Sequence, residues 1–211
     1  ACLALALAGG SRRALSREPT GSTASAGEGL EAHWTFDAGQ GDVLHDVSGH
    51  GHDGVIHGAT WVTSPRGGAL RFDGVDDYVD CGQSDKLNLA GDLTLEAWIR
   101  PEDTSGRNRL IVGDAASLTV NRNWNLRIDH PSGNDCGIRF EWGTGSEGTS
   151  AFQPVTLATG EWHHVAVVHE APLVLFYLDG HLVYHRSTSS QITPTVGAIR
   201  RIGGWFAGHF K

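Results

Sequence analysis

From Leu30 almost to its last residue, the chain is a series of short apolar runs separated by Gly, Asp and Asn. The runs are rich in aromatic and β-branched residues, and none has the 3.6-residue period of an amphipathic helix. In residues 93–99, LTLEAWI, every second residue from Leu93 to Ile99 is apolar, and Trp98 belongs to the alternate set. A period of two is typical of a strand that buries one face. Because no helices intervene, the pattern predicts an all-β fold, a sandwich of two antiparallel sheets.

Two turns are specified by their residues. Asp179 and Gly180 lie between the apolar runs 173–178 and 181–185. This pair predicts a type I′ hairpin, because both central residues of that turn need a positive φ. Residues 72–78, FDGVDDY, predict a second tight connection, since Gly and Asp favour turns.

Length and charge limit the class of protein. The chain has 211 residues, enough for one large all-β domain with a hydrophobic core. Its formal net charge is −8, so it lacks the basic excess that is typical of nucleic-acid-binding domains. We therefore expect no nucleic acid among its partners.

The N-terminal part of the chain differs in composition from the rest. Residues 1–10, ACLALALAGG, form an apolar run too short to span a bilayer, which takes about 20 residues. The run is typical of the end of a signal peptide, and the basic residues after it keep a membrane anchor as the alternative. Residues 11–29 have the composition of a flexible linker. We expect the folded domain over residues 30–211, with the preceding residues outside it.

Three cysteines, Cys2, Cys81 and Cys136, are too few for a disulfide scaffold. A disulfide between Cys81 and Cys136 is one interpretation for an oxidising compartment. Two separate buried thiols are the alternative, because spacing in sequence does not establish that two sulfurs are close.

Six longer motifs occur in order along the chain. They are AHWTFDAGQGD (32–42), HDVSGHGHDGVIHGATWV (45–62), GGALRFDGVDDYVDCG (67–82), LTLEAWIRP (93–101), TGEWHHVAVVHE (159–170) and FYLDGHLV (176–183). Together they resemble the bacterial laminin-G-like jelly-roll family, a branch of the concanavalin A-like lectin/glucanase superfamily. The resemblance extends from about Leu30 to Gly204.

The resemblance implies a jelly roll of two antiparallel sheets. It also implies a non-catalytic binding module of a secreted or cell-surface bacterial protein, with carbohydrate or a cell-surface protein as partner. Membrane contact would come only through an N-terminal anchor. A structural or adhesive spacer without a small ligand is the alternative. Family members continue after the Ile-Gly-Gly run, here 202–204, into a final strand, whereas this chain ends at Lys211. We therefore expect the sandwich to lack its closing strand.

A glycan-active enzyme is a third alternative, and the residues disfavour it. The related β-glucanases carry a Glu-x-Asp-x-x-Glu run whose carboxylates act as nucleophile and general acid. This chain has no such run. The closest carboxylates, Glu141 and Glu147, are separated by a Gly-rich loop that does not hold them on one face. We expect no enzymatic activity.

Histidines and acidic residues cluster in residues 45–57, HDVSGHGHDGVIH. A metal ion needs convergent ligands, and His50, His52 and Asp53 are candidates. A polar surface loop shaped by Asp and Gly is the favoured interpretation. His163 and His164 are adjacent on a predicted strand, so they point to opposite faces and do not easily share one ion.

Calcium is the better metal prediction, because loops of a sandwich supply carboxylate and carbonyl oxygens. The resemblance implies one structural calcium ion between the first and last strands, and Asp37 is the matching residue. Its second carboxylate would come from the closing strand, so we expect weak binding. Asp73, Asp76 and Asp77 form another acidic cluster, for which a turn-forming role is favoured.

Sugar-binding sandwiches expose aromatic rings that stack on the apolar side of a pyranose. The candidates are Trp124, Trp142 and Trp205, which lie beside Asn residues or Gly-rich turns. Burial in the core is the alternative for each of them. For three other tryptophans we predict a core position: Trp34, Trp98 and Trp162.

Overall fold

The computed structural model describes residues 5–9, 29–104, 108–114, 124–130, 136–144, 148–193 and 197–204, with residues 5–9 as backbone only. These residues form sixteen strands and one 3₁₀ helix (Asp85–Leu87). The strands are β1 (Leu5–Gly9), β2 (Leu30–Trp34), β3 (Val43–Leu44), β4 (Gly54–His57), β5 (Thr60–Ser64), β6 (Gly67–Arg71), β7 (Tyr78–Asp80), β8 (Leu93–Ile99), β9 (Arg109–Asp114), β10 (Trp124–Asp129), β11 (Gly137–Gly143), β12 (Gly148–Pro154), β13 (His163–Glu170), β14 (Leu173–Leu178), β15 (His181–Ser187) and β16 (Arg200–Ile202).

Two sheets carry the fold. The six-stranded sheet has the order β15–β14–β13–β8–β1–β2, and the eight-stranded sheet has the order β12–β11–β10–β9–β16–β7–β4–β3. A separate hairpin joins β5 and β6. Every strand pair in the described residues is antiparallel. The predicted antiparallel two-sheet sandwich is confirmed, and the hairpin is an addition to it.

The core lies between the two sheets. The apolar set of β8 is buried in it: Leu93, Leu95, Ala97 and Ile99. The opposite sheet contributes the even-numbered residues of β10 and β11: Trp124, Leu126, Ile128, Ile138, Phe140 and Trp142. Burying one large apolar side chain stabilises the fold by about 1.5–3 kcal/mol. Trp34 is fully buried among them, as predicted.

The hairpin between β14 and β15 has the predicted turn. Asp179 has φ 51° and Gly180 has φ 79°, so both central residues adopt the left-handed conformation that a type I′ turn needs. The Asp179 carboxylate also accepts hydrogen bonds from the backbone N–H of His164 at 2.8 Å and from Nδ1 of His163 at 2.9 Å. Asp179 therefore ties the turn to β13 as well as closing the hairpin.

At the N-terminus the structure differs from the prediction. Leu5–Gly9 is a strand of the six-stranded sheet, antiparallel to β2 on one side and to β8 on the other. A short apolar segment fits this position because β2 and β8 each present backbone N–H and C=O groups that need partners. The predicted linker, 11–29, lies outside the described residues except for Gly29. Within the described ranges, no helix is long and apolar enough to cross a bilayer.

A Cys81–Cys136 disulfide, one of the two interpretations of the sequence, is absent, and both thiols are free. Cys81 follows β7 and Cys136 precedes β11, two strands that are four positions apart in their sheet. At about 4.8 Å per strand this separates them by about 19 Å, whereas a disulfide needs Cα atoms within about 7 Å. Burial raises the pKa of both thiols, so neither is activated as a thiolate.

Candidate functional site

Trp124 and Trp142 do not lie on a binding surface. They pair directly across β10 and β11, and both are 0% exposed. The expectation that their rings are open to a sugar is wrong, because even-numbered positions of these strands face the opposite sheet. Trp205 lies outside the described residues.

The odd-numbered positions of β10 and β11 carry a charged cluster on the face that points away from the core. Nη1 and Nη2 of Arg127 each donate to one carboxylate oxygen of Glu141 at 2.8 Å. Arg127 also lies 3.6 Å from Asp129, and Arg139 donates to Asp129. Asn125 completes the cluster by donating to Glu141 at 3.2 Å. The charges of two arginines and two carboxylates balance within it.

The cluster gives Glu141 a structural role. A bidentate arginine fixes both carboxylate oxygens in one position between β10 and β11. Glu147, the other carboxylate considered from the sequence, lies outside the described residues.

Asp37 follows β2 and is exposed. A Cβ on Gly67 would lie 3.1 Å from its Oδ1, so the carboxylate lies against the β5–β6 turn. In the described part of the chain, Asp37 belongs to no group of three or more His, Cys, Asp or Glu side chains whose ligand atoms lie within 4.8 Å of one another. A calcium ion there would depend on carbonyl oxygens and water, and the site stays a prediction.

Asp73, Asp76 and Asp77 do come together, with ligand atoms within 4.8 Å of one another. The same oxygens hold the turn. Asp77 accepts from the backbone N–H of Asp73 at 2.7 Å, and Asp73 accepts from Val75 at 2.7 Å. Burial raises the pKa of Asp77. These contacts support the turn-forming interpretation.

The histidine-rich loop is organised by Asp46. Its carboxylate accepts from the backbone N–H groups of His33, Ser48 and His52, each at 2.9 Å, and from the Ser48 hydroxyl at 2.8 Å. Partial burial acts to raise the pKa of Asp46, but these hydrogen bonds outweigh it and lower the pKa. In the described part of the chain, the side chains of His50, His52 and Asp53 do not form a group whose ligand atoms converge within 4.8 Å.

Trp98 and Trp162, predicted for the core, are both half-buried. Trp98 lies on the face of β8 that points away from the core, and Trp162 directly precedes β13. They border two adjoining cavities of about 220 and 300 Å³ beside the β5–β6 hairpin. Ser64 and Trp162 line both cavities. We call these two cavities the two-tryptophan groove.

Local backbone geometry positions the hairpin beside Trp98. A Cβ on Gly68 would lie 2.0 Å from the carbonyl oxygen of Phe36, so only glycine permits this approach of β6 to the segment after β2. The turn between β5 and β6 then carries Arg66 over Trp98, with its guanidinium carbon 3.2 Å from the ring centroid. The His164 ring lies 5.1 Å from that of Trp98. One end of the groove is thus a cation–π pair.

The other end of the groove is held by polar contacts. Nη2 of Arg71 donates to Glu102 at 2.9 Å, and this hydrogen bond lowers the pKa of Glu102. Nε of Arg100 donates to the carbonyl of Gly160 at 2.8 Å, and Gly160 donates in turn to the Pro101 carbonyl at 2.7 Å. The groove therefore combines an indole wall with fixed hydrogen-bonding groups.

The alternating pattern of β8 already places Trp98 on the other face of the strand from Leu95 and Ala97. This alternation contradicts a core position for Trp98, and it was sufficient to predict that Trp98 lies on the outer face of β8. For Trp162, which precedes β13, the sequence offers no comparable signal.

This geometry defines the class of protein as a jelly-roll sandwich with a groove beside one sheet. A laminin G family model, described as the concanavalin A-like lectin/glucanases superfamily, matches residues 73–210. The chain therefore belongs to this superfamily, which confirms the resemblance carried by its motifs. No curated protein sequence matches the chain.

Solved structures share the fold at low sequence identity. Domain 4 of AbnA, a GH43 extracellular arabinanase from Geobacillus stearothermophilus in complex with arabinotriose, is 16% identical, with 84% of each chain covered and a TM-score of 0.62. The binding domain of Paraclostridial Mosquitocidal Protein 1 is 14% identical over 82% of this chain and 48% of its own, with a TM-score of 0.56. The CBM40 of Ruminococcus gnavus IT-sialidase, bound to alpha2,3 sialyllactose, is 12% identical over 72% and 80%, with a TM-score of 0.51.

Proposed function

We propose that the chain is a carbohydrate-binding module that acts without catalysis, as part of a secreted or cell-surface protein. The observation that carries the proposal is the position of Trp162, a half-buried indole that forms a wall of both cavities of the two-tryptophan groove. A ring in this position suits stacking on a pyranose, and the surrounding polar groups suit its hydroxyls.

The charges of the groove support binding without hydrolysis. Glycoside hydrolysis uses a pair of carboxyl groups that flank the scissile bond. Among the described residues that line the groove, Glu102 is the single carboxylate, and it is paired with Arg71. Two proteins of the same fold, the AbnA domain and the CBM40, were solved with bound oligosaccharides, which is in keeping with the proposal.

A contact with a protein partner is the second candidate function. Val43 and Val55 are exposed and lie on β3 and β4, at one edge of the eight-stranded sheet. Apolar side chains on an exposed sheet edge favour pairing with another chain. This would give an adhesive or structural domain without a small ligand.

The test is a panel of insoluble and soluble polysaccharides on which retention of the purified chain and release of reducing ends are both recorded. We expect retention without release, and loss of retention in Trp162→Ala. Trp61→Ala is the matched control, because Trp61 is also half-buried, donates to the Gly41 carbonyl at 2.7 Å and lines neither cavity. Release of reducing ends, or equal retention of Trp162→Ala, would contradict the proposal. No retention on any polysaccharide would favour the protein contact.

A further inference from the structure

The two-tryptophan groove is positively lined on an acidic protein. The chain has a formal net charge of −8. The charged residues that line the groove are three arginines and one glutamate: Arg66, Arg71, Arg100 and Glu102. Asp37 lies near the hairpin turn but lines neither cavity. A local excess of positive charge in a groove attracts anionic ligands.

One of the three arginines is neutralised within the groove. Arg71 and Glu102 form an ion pair at 2.9 Å, and because this hydrogen bond lowers the pKa of Glu102, the pair stays ionised around neutral pH. Glu102 therefore offsets one of the three arginine charges, and the described lining of the groove keeps a net excess of positive charge.

Arg66 and Arg100 are each held by a neutral group, although the charge of Arg100 also helps to lower the pKa of Glu102. Arg66 packs on the Trp98 ring, and no described carboxylate lies within ion-pairing distance of it. Arg100 is fixed through Nε to the Gly160 carbonyl, a neutral acceptor. An arginine side chain that is held in place by one such contact still has other N–H groups in the guanidinium plane, and their geometry matches a carboxylate.

The two arginines lie in different cavities. Arg66 lines the cavity that contains Trp98, Arg100 lines the cavity that contains the Arg71–Glu102 pair, and Trp162 forms a wall of both. Building on the proposed function, we propose that the groove binds a polysaccharide whose successive sugar units carry carboxylates. One unit stacks on Trp162, while carboxylates of the chain pair with Arg66 and Arg100.

The decisive probe is polygalacturonate compared with its fully methyl-esterified form, since the two share a backbone and differ in carboxylate charge. Affinity is measured by electrophoresis through gels that contain each polymer and by calorimetry. We expect polygalacturonate to bind at least about tenfold more tightly than the ester, because each charge-assisted hydrogen bond lost has an effect of that order. Arg66→Gln and Arg100→Gln should each weaken binding of polygalacturonate by about tenfold and leave binding of the ester unchanged.

Arg109→Gln is the matched control. Arg109 lines another cavity, of about 470 Å³, at the ends of β8 and β10, and it pairs with Asp103 at 3.0 Å. Among the described residues that line this cavity, Glu102 alone also lines the groove. We expect it to bind polygalacturonate as the parent chain does, with all variants checked for an unchanged melting temperature. A variant that melts early is replaced by the corresponding Met substitution, which keeps an unbranched stem and removes the charge, so that the same tenfold loss is expected.

The outcomes separate this inference from the proposed function. Equal binding of both polymers, lost in Trp162→Ala, would overturn the charge inference and leave the carbohydrate-binding function intact. Equal loss of binding in Arg109→Gln, or equal binding of poly-glutamate, would show non-specific attraction and also overturn the inference. Absence of binding to every polysaccharide would overturn the proposed function itself.

Discussion

Replacing Glu141 by glutamine tests whether this carboxylate holds the fold. The substitution keeps the shape of the side chain and removes the charge that Arg127 binds at 2.8 Å. The two side chains are only 8% and 14% exposed, so solvent does little to replace the lost partner. Removing one partner of a buried pair costs about 3–5 kcal/mol. We expect about 3 kcal/mol, the lower end, because Asp129 remains 3.6 Å from Arg127.

The measurement is thermal and urea unfolding of the variant and the parent chain. For a chain of this length, a loss of about 3 kcal/mol lowers the melting temperature by about 6–12 °C. Asp103→Asn is the control, because its partner Arg109 lies 3.0 Å away but the Asp103 side chain is 60% exposed. An exposed pair contributes about 0–1 kcal/mol. Equal, small effects of the two substitutions would refute the structural role of Glu141.

Three further predictions concern stability. His169 is fully buried, and its two ring nitrogens lie 3.1 and 3.0 Å from backbone carbonyl oxygens. His169→Phe should cost about 1–3 kcal/mol in urea unfolding, because it removes the ring N–H that donates to one of these buried carbonyls. Gly113→Ala should destabilise the fold by about 1–3 kcal/mol more than Gly74→Ala in the same assay. Both glycines have a positive φ, but of the two only Gly113 would bring a Cβ within 2.5 Å of backbone. Equal costs of the two substitutions would contradict this clash. The folded state lowers the pKa of Asp46, so its ionised carboxylate stabilises the fold above the ordinary pKa of 3.8, and this stabilisation is lost as the pH falls through the lower pKa of the folded state. Asp46→Asn should therefore have a lower melting temperature than the parent chain at pH 6. Below pH 3.8, its melting temperature should fall less on acidification than that of the parent chain.

Much of the fold could be predicted from local sequence. The period-two pattern of β8 identified its two faces correctly, residue by residue. Asp179 and Gly180 specified their hairpin because the type I′ turn depends on the backbone conformations of two residues alone. The acidic turn around Asp73 was also predicted, since Asp side chains bond to backbone N–H groups two to four residues away.

The candidate site depended on contacts between distant segments. Alternation separates Trp98 from Leu95, but only the approach of the β5–β6 hairpin turns the face that bears Trp98 into a groove. The same holds for Arg127 and Glu141, which are 14 residues apart and meet because Asn125 pairs with Glu141 across β10 and β11.

The sequence by itself determined that this chain forms short antiparallel strands, and it determined which residues share a face, because side-chain direction alternates along any strand. Only the tertiary structure decided which face of β10 and β11 became the interior. For Trp124 and Trp142 the sequence allowed burial or exposure, and the packing of the two sheets buried both. The same limit applies to Leu5–Gly9, an apolar run that suits a signal peptide and a central strand equally well. Its place between β2 and β8 follows from the backbone groups of those two strands, which local sequence does not reveal.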